Sequence, residues 1–519
     1  MRSWRRIKPS LVRSMIAVAV PFRVALAGGA STGLVPITEL GSGTYQGFEG
    51  GLYPGGSNTM PGSHLSAGLS LAAQVVPRDA LGNPDPDGFI VMISVGMSNT
   101  THEFGPFERQ EDLSVNRNAR LLIINGAHGG QTASEIKSPT SGYWNLVDDR
   151  LAALNVTQQQ VQAAWVKEAN AGPPNNFPIH AQDLAADMRG VVQTLRDRFP
   201  NLRLCYLSSR IYGGYSGGGL NPEPQAYEGA FSVKWLIEDQ LSGDADLNFD
   251  PGIGPVEAPW LAWGPYLWAD GLTPRAADGL IWAQSDMEAD NVHPSPSGEQ
   301  KVADLVSGFF GSDTTTLAWY AAQPGLSLRS VDAIADAHVA LPQPAQNFGT
   351  LSTLQLASGA SDSDVLLKFD VTGVTEPILF AKLSFRIPAT TGAPRANVRT
   401  VADDSWSETG VTWNNAPAGA EPPIITTGAI SRDGSLSAGV TQAVLDDPDG
   451  IVSLRLSAPS STGLYHSRES GQPPRLVLIV ETAAGPPVPT LSPWPMTVLF
   501  VIVLAVGVCM IRRRMRSAS

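Results

Sequence analysis

The sequence predicts an α/β domain built on a parallel sheet, then an all-β sandwich, and finally a single C-terminal transmembrane helix. Three observations favour this order. Apolar, strand-like runs alternate with longer helical or polar stretches over residues 35–320. Short alternating segments, separated by Gly, Pro, Asp and Ser, fill residues 330–482. An apolar run without a charge then covers residues 496–511 and stops at a cluster of arginines.

Size and charge narrow the class of protein. A chain of 519 residues exceeds the roughly 250–300 residues that one hydrophobic core supports, which predicts two domains. The net charge of −13 is spread without a basic block, so we exclude nucleic acid as a partner. Of the two cysteines, Cys509 lies in the apolar tail, so we expect no disulfide with Cys205.

The two ends of the chain predict export. Basic residues precede an apolar stretch that ends in Ala25-Leu26-Ala27, which indicates a signal peptide over residues 1–27. A poorly ordered basic arm is the alternative. At the other end, the apolar run 496–511 indicates a membrane span. Together these segments predict a protein of the cell envelope or the extracellular space, anchored transiently in the membrane by its C-terminal helix.

The first domain alternates strands and helices. Four apolar runs predict strands: Phe89–Val95, Leu121–Ile124, Ala163–Val166 and Leu202–Leu207. Between the last two, Ala181–Arg198 carries apolar residues at helical spacing on one face and ends at Phe199-Pro200. Right-handed crossovers between such strands place helices on both faces of a parallel sheet. The pattern therefore predicts a three-layer α/β domain.

The first domain contains a serine, an acid and a base that are candidates for catalytic residues. Ser98 follows the first predicted strand, and Asp290 lies three residues before His293. Functional groups of open parallel sheets gather at the carboxyl ends of the strands. A serine hydroxyl needs an adjacent base, and a carboxylate can hold an imidazole in the required tautomer. These residues predict a serine hydrolase. The alternatives are a helix N-cap at Ser98 and a simple turn at Asp290.

Attack by the serine creates an oxyanion, which needs hydrogen-bond donors. We expect these donors to be the Ser98 N–H, a glycine N–H from Gly129-Gly130, and the side-chain amide of Asn170. Four more side chains are expected as substrate contacts: Asn99, His102, His128 and Arg210. The histidine spacing does not fit a metal site, so we predict neither a metal nor a cofactor.

The order of these residues resembles that of the SGNH hydrolases, which are GDSL-type esterases and lipases. The resemblance covers residues 85–310 and implies a flavodoxin-like, three-layer α/β fold. It implies a catalytic triad of Ser98, Asp290 and His293, and an oxyanion hole of Ser98, Gly130 and Asn170.

The second half of the chain carries a series of short motifs. They include Ala335-Asp336-Ala337-His338-Val339, Asp404-Ser405-Trp406-Ser407-Glu408, Val411-Thr412-Trp413-Asn414-Asn415 and His466-Ser467-Arg468-Glu469-Ser470. Together these motifs resemble the DNRLRE-type β-sandwich, which is related to a carbohydrate-binding module family. The resemblance implies an accessory domain that binds a surface or a polysaccharide.

The tail over residues 485–519 resembles the IPTL-CTERM sorting signal of Gram-negative bacteria. The resemblance rests on Val488-Pro489-Thr490-Leu491-Ser492, followed by the apolar run and the arginines. It implies that an exosortase-type membrane protease processes the chain.

These features predict an exported serine esterase that removes O-acyl groups, with O-acetyl as the expected group, from a carbohydrate or another small ester. The sandwich would hold the enzyme near a polysaccharide. Two alternatives stay open: a non-catalytic surface protein that uses the same fold for adhesion or carbohydrate binding, and a lipase or thioesterase.

Overall fold

A computed structural model describes residues 31–218, 220–388, 395–428, 434–460 and 462–482. The predicted signal peptide (1–27) and sorting tail (485–519) lie outside these residues. The predicted boundaries of the two domains stay predictions.

The first half of the described chain contains five parallel strands and most of the helices. The strands are β1 (Ile90–Gly96), β2 (Leu121–Ile124), β3 (Val161–Lys167), β4 (Leu204–Ser208) and β5 (Trp260–Trp263). The helices are α1 (Ile37–Leu40), α2 (Gly62–Ala72), α3 (Ser98–Glu111), α4 (Ala133–Ile136), α5 (Tyr143–Ala153), α6 (Ile179–Arg198), α7 (Gln225–Leu241), α8 (Pro296–Phe310) and α9 (Leu317–Tyr320).

The five strands lie in the order β2-β1-β3-β4-β5, and every neighbouring pair is parallel. This is the flavodoxin-like order, whose direction of progress reverses between β1 and β3. Because right-handed crossovers that run in opposite directions lie on opposite faces, α3 lies on one face and α5, α6 and α7 lie on the other. Helix α8 packs against α3, and α6 packs against α7. The predicted parallel α/β fold is confirmed.

The structure adds one strand that was not predicted from the sequence. The four predicted strands all form, and the fifth strand, Trp260–Trp263, lies in a tryptophan-rich segment of the kind that can stack on sugar rings. Trp260, Trp263 and Trp268 are at most 3 % exposed, so these rings form part of the core. They therefore cannot act as a platform for a sugar.

The second half of the described chain is a β-sandwich. Its strands are β6 (Leu326–Asp332), β7 (Ala335–Ala340), β8 (Thr353–Ala357), β9 (Ser363–Asp370), β10 (Ile378–Arg386), β11 (Asn397–Val401), β12 (Ile425–Thr426), β13 (Ser435–Gly439), β14 (Ile451–Ser457), β15 (Thr462–His466) and β16 (Arg475–Glu481), with one short helix, α10 (Thr441–Leu445). One sheet has the order β12-β11-β14-β9-β8-β15, with β7 also pairing with β9, and the other has the order β13-β10-β16-β6. All pairs are antiparallel, and the all-β prediction is confirmed.

The sandwich packs directly on the α/β part through its four-stranded sheet. Phe380 and Val477 of that sheet belong to the same hydrophobic core as the α/β strands. Beside them, Lys382 Nζ lies 2.6 Å from Asp112 and 3.4 Å from Glu108, and all three side chains are buried. A buried charge without its partner costs several kcal/mol, so these contacts fix the place where the sandwich docks.

The fold class predicted from the sequence needs one correction. Within the ranges that the structure describes, no helix combines the length and the apolar character needed to cross a membrane. The fold therefore consists of the parallel α/β sheet with its helices and the β-sandwich. The run 496–511 lies outside the described residues. The localisation that depended on a C-terminal membrane anchor is not supported and is withdrawn.

Candidate active site

Ser98 lies where strand β1 turns into helix α3. Thr100 Oγ1 donates a hydrogen bond to the Lys167 backbone carbonyl at 2.6 Å, which pulls the first turn of α3 onto β3. A Cβ at Gly96 would lie 2.3 Å from Thr100 Oγ1 and 2.4 Å from Lys167 O, so only glycine permits this approach. Ser98 is the first residue of the helix, and its backbone N–H belongs to the donors that a helix leaves unsatisfied at its N-terminus.

The structure brings Ser98, His293 and Asp290 into one hydrogen-bonded chain. Nε2 of His293 lies 2.8 Å from Oγ of Ser98. Nδ1 of the same ring lies 2.6 Å from Oδ2 of Asp290. Residues 195 positions apart in the sequence thus meet at the carboxyl edge of the sheet, where open parallel sheets gather their functional groups.

The loop that carries His293 is shaped by Asp290. Oδ1 of Asp290 accepts hydrogen bonds from the backbone N–H groups of Val292 and His293, both at 3.0 Å. Asn291 has a φ of 57°, a left-handed conformation that asparagine tolerates well. Partial burial raises the pKa of Asp290, but the His293 N–H, the imidazole and the Val292 N–H together lower that pKa to about 2. The carboxylate is therefore ionised at neutral pH.

The loop after β2 borders the serine. The His128 N–H donates to the Gly96 carbonyl at 2.9 Å and ties this loop to the end of β1. A Cβ at Gly129 would lie 3.6 Å from Ser98 Cβ. Gly130 follows with a φ of 76°, which favours glycine, and is exposed. Gly129 is therefore the residue that lies against Ser98. Gly130, the predicted second donor to the oxyanion, is the next residue in the chain.

Asn170 lies at the end of the neighbouring strand β3, in a hydrogen-bonded corner. Its Oδ1 accepts from the Ser134 N–H at 3.1 Å, and its Nδ2 donates to Asp187 Oδ2 at 2.6 Å. The Asn221 side chain donates to its carbonyl at 2.8 Å. The amide is therefore held in one orientation, with one of its two N–H bonds directed to Asp187.

The four predicted substrate contacts differ in exposure. Asn99, His102 and Arg210 are at most 7 % exposed, so protein surrounds their side chains. Asn99 Nδ2 donates to the Val292 carbonyl at 3.1 Å and so holds the His293 loop. His128 is half-buried, and burial, with Arg150 nearby, lowers its pKa to about 4. His128 is thus neutral at neutral pH.

The His102 ring packs against the ring of His293. The two rings stack with centroids 5.2 Å apart and an angle of 30° between their planes. Nδ1 of His102 lies 3.8 Å from Glu299 Oε1 on α8, and Arg386 of the sandwich lies 3.4 Å from the other Glu299 oxygen. A line of contacts therefore runs from the back of the His293 ring to strand β10.

A buried ion pair below the site was missed by the sequence-based prediction. Lys167 Nζ lies 2.6 Å from Glu103 Oε2, and both side chains are at most 2 % exposed. Burial raises the pKa of Glu103, while the positive charges of Lys167 and Arg210 oppose that rise. Lys167 directly follows the apolar run of β3, and a charge at that position is the one signal from which a buried partner could have been inferred.

Comparison with known proteins assigns a class to the sandwich. Residues 328–480 match the family model of carbohydrate-binding module family 96. The match supports the carbohydrate-binding part of the predicted resemblance. The DNRLRE-type and IPTL-CTERM resemblances stay predictions, as does the exosortase-type partner. No curated protein matches the chain.

Several solved structures align with part of the chain. A protein from Bacillus subtilis has 14 % identity and a TM-score of 0.25, with 44 % of this chain and 57 % of that protein covered. A protein from Parabacteroides merdae, named as a GDSL-like lipase, has 12 % identity, a TM-score of 0.26, and coverage of 47 % and 99 %. One from Bacteroides fragilis, named as an acylhydrolase, has 13 % identity, a TM-score of 0.25, and coverage of 48 % and 97 %. These scores are too low to assign an activity.

Proposed function

We propose that the chain is a serine hydrolase that cleaves O-acyl esters, with O-acetyl groups on a carbohydrate as its substrates. One observation carries the proposal: the continuous hydrogen-bonded chain from Ser98 Oγ through His293 to Asp290. A nucleophile, its base and the group that orients the base are the three parts that acyl transfer through serine requires.

In the proposed reaction, His293 Nε2 takes the proton of the Ser98 hydroxyl as Oγ attacks the ester carbonyl. The imidazole then donates that proton to the departing alcohol, which leaves an acyl group on Ser98. A water molecule, activated in the same way, releases the acid. Asp290 keeps the proton of the neutral ring on Nδ1 and stabilises the imidazolium that forms in each half of the reaction.

The oxyanion in this mechanism is held by backbone and amide donors. The Ser98 N–H lies at the N-terminus of the 14-residue helix α3, where the partial positive charge of the helix favours a negative oxygen. We assign the second donor to the Gly129-Gly130 segment and the third to Asn170. Asn170 can still supply its second amide N–H, because Asp187 takes only one.

A carbohydrate substrate is supported by two further observations. Residues 328–480, which pack on the α/β part, match a carbohydrate-binding module family. The site also opens to solvent, since the Asp290 side chain is 43 % exposed and Gly130 is exposed. An open site admits an ester carried on a polymer. Among the predicted contacts, we keep His128 as the one that reaches the substrate.

We expect a fluorophosphonate probe to label the purified chain at Ser98, because the probe reacts with serines activated by a histidine. Peptide mapping by mass spectrometry locates the modified residue.

The same protein should hydrolyse p-nitrophenyl acetate faster than p-nitrophenyl palmitate and should release acetate from an O-acetylated polysaccharide. Absence of both labelling and hydrolysis would contradict the enzyme and favour the non-catalytic surface protein. A preference for palmitate would instead favour a lipase.

We expect His102 to act as a positioning residue for His293. His102→Ala removes the ring that stacks on His293, so kcat should fall about tenfold, or about 1.4 kcal/mol in activation free energy, with little change in KM. His102→Phe keeps an aromatic ring and should retain most of the activity. Steady-state kinetics on the three proteins distinguish the cases. A phenylalanine variant as slow as the alanine variant would contradict positioning by ring packing.

A further inference from the structure

The β-sandwich contains a cluster of three carboxylates that the proposed reaction does not use. Asp336 lies on β7, Glu408 follows β11, and Glu469 lies in the turn between β15 and β16. Each residue can offer one carboxylate oxygen such that all three oxygens lie within 4.8 Å of one another. Like charges at this distance repel, so the arrangement needs a compensating positive charge.

Arg468 supplies only part of that compensation. Its Nη1 lies 3.0 Å and 2.9 Å from the two carboxylate oxygens of Glu408. With all three carboxylates ionised, one guanidinium would leave two negative charges without compensation. One divalent cation would balance these two charges.

The side chain of Asp336 gives a second and independent indication of a ligand site. Its side chain is 1 % exposed, and Oδ1 is buried and accepts no hydrogen bond from any described residue. The other oxygen, Oδ2, already accepts the Arg468 backbone N–H at 2.9 Å. A buried carboxylate oxygen without a donor is costly, and coordination of a cation removes that cost.

We propose that Asp336, Glu408 and Glu469 bind a calcium ion. Carboxylate oxygens are the ligands of hard cations, and Ca²⁺ accepts them at about 2.3–2.6 Å in flexible geometry. Three oxygens within 4.8 Å of one another can share one ion at these distances, and flexible geometry suits ligands that come from three separate segments better than the near-ideal octahedron that Mg²⁺ demands. Asp336 forms the buried floor of the site and Glu469 its exposed side, where water can complete the coordination.

The ion would join three segments that are distant in the sequence. The Asp336 N–H donates to Glu408 Oε1 at 2.9 Å, and Asn347 Nδ2 donates to the Glu408 carbonyl at 2.7 Å, so the backbone around the site is already ordered. Calcium would add a direct link from β7 to the turn at Glu469. The expected consequence is a stabilised sandwich, independent of ester hydrolysis.

The test uses the full chain after treatment with EGTA and dialysis. Isothermal titration with CaCl₂ should show one ion bound per chain, and saturating Ca²⁺ should raise the unfolding temperature of the sandwich by on the order of 5 °C. An equal concentration of MgCl₂ should have a smaller effect. The absence of both calcium binding and a thermal shift overturns the proposal, and an equal response to Mg²⁺ overturns the assignment to calcium.

Variants locate the site. Glu469→Gln removes an exposed charge without disturbing the core and should weaken Ca²⁺ binding at least about tenfold. Asp336→Asn should abolish binding, and Glu469→Gln keeps the proposal testable if that buried variant does not fold. Glu481→Gln, an exposed carboxylate on β16, is the matched control and should bind as the unaltered chain does. Unchanged calcium affinity in Glu469→Gln overturns the proposal.

Discussion

Ser98→Ala is expected to lower kcat for ester hydrolysis by about 10⁴–10⁶-fold, because the variant removes the only atom that can form the acyl-enzyme in the proposed mechanism. The oxyanion donors and the binding surface stay in place, so a small residual rate above the uncatalysed one should persist. Kinetics with p-nitrophenyl acetate, together with loss of fluorophosphonate labelling, measure the effect.

The fold of this variant should be unaffected. Ser98 Oγ forms a hydrogen bond with His293 Nε2, and the small side chain at the start of α3 is half-buried. We therefore expect the unfolding free energy to change by less than about 1 kcal/mol. Ser66→Ala, at an exposed position on α2, is the matched control and should keep full activity. More than about 1 % of the original kcat in Ser98→Ala would point to a different nucleophile.

The sequence was most informative about features that follow from local pattern, namely the strands and the residues that come directly after them. The four apolar runs became β1 to β4 because buried strands of a parallel sheet read as continuous hydrophobic stretches. Since Ser98 and Asn170 follow β1 and β3, the parallel direction of these strands predicts that both residues lie at the carboxyl edge of the sheet. The spacing of Asp290 and His293 similarly predicts a local contact, and the two residues do form a hydrogen bond.

Contacts made between distant segments were less predictable. Trp260–Trp263 is rich in tryptophan, and its pattern suits a packed aromatic loop or a surface for sugar stacking, so no strand was predicted there. Its assignment depends on pairing with β4, which is a tertiary contact. His102 likewise lies near Glu299 of α8, which in turn contacts Arg386 of the sandwich, and neither segment is adjacent to His102 in the sequence. Local pattern carries no information about such contacts.

The same reason explains why the carboxylate cluster could not be predicted from the sequence. Asp336, Glu408 and Glu469 each lie in a motif that resembles a known sandwich family, but more than 130 residues separate the first from the last. No spacing rule of the kind used for local metal motifs applies to ligands brought together by strand pairing. Only the fold of the sandwich shows that their oxygens converge.

Asp290→Asn is expected to lower kcat by about 10³–10⁴-fold while leaving the loop intact. The asparagine carbonyl can still accept the backbone N–H groups of Val292 and His293, which Asp290 Oδ1 accepts in the unaltered chain. The amide NH₂ would then face His293 Nδ1 and donate to it. The ring proton would move to Nε2, where it points at Ser98 Oγ, and the imidazole could no longer take the hydroxyl proton.

The lowered pKa of Asp290 makes this variant a direct test of whether the carboxylate orients His293, because Asp290 keeps its charge over the whole assay range. Because that pKa is lowered to about 2, the carboxylate stays ionised above about pH 4, and its stabilising contribution is lost only as the pH falls towards 2. The defect of Asp290→Asn should therefore be equally large at pH 6 and pH 8 within about threefold, measured as kcat on p-nitrophenyl acetate. Asp304→Asn, at an exposed aspartate of α8, is the control and should keep full activity. An Asp290→Asn protein within about tenfold of the original kcat would show that Asp290 only shapes the loop and does not orient the base.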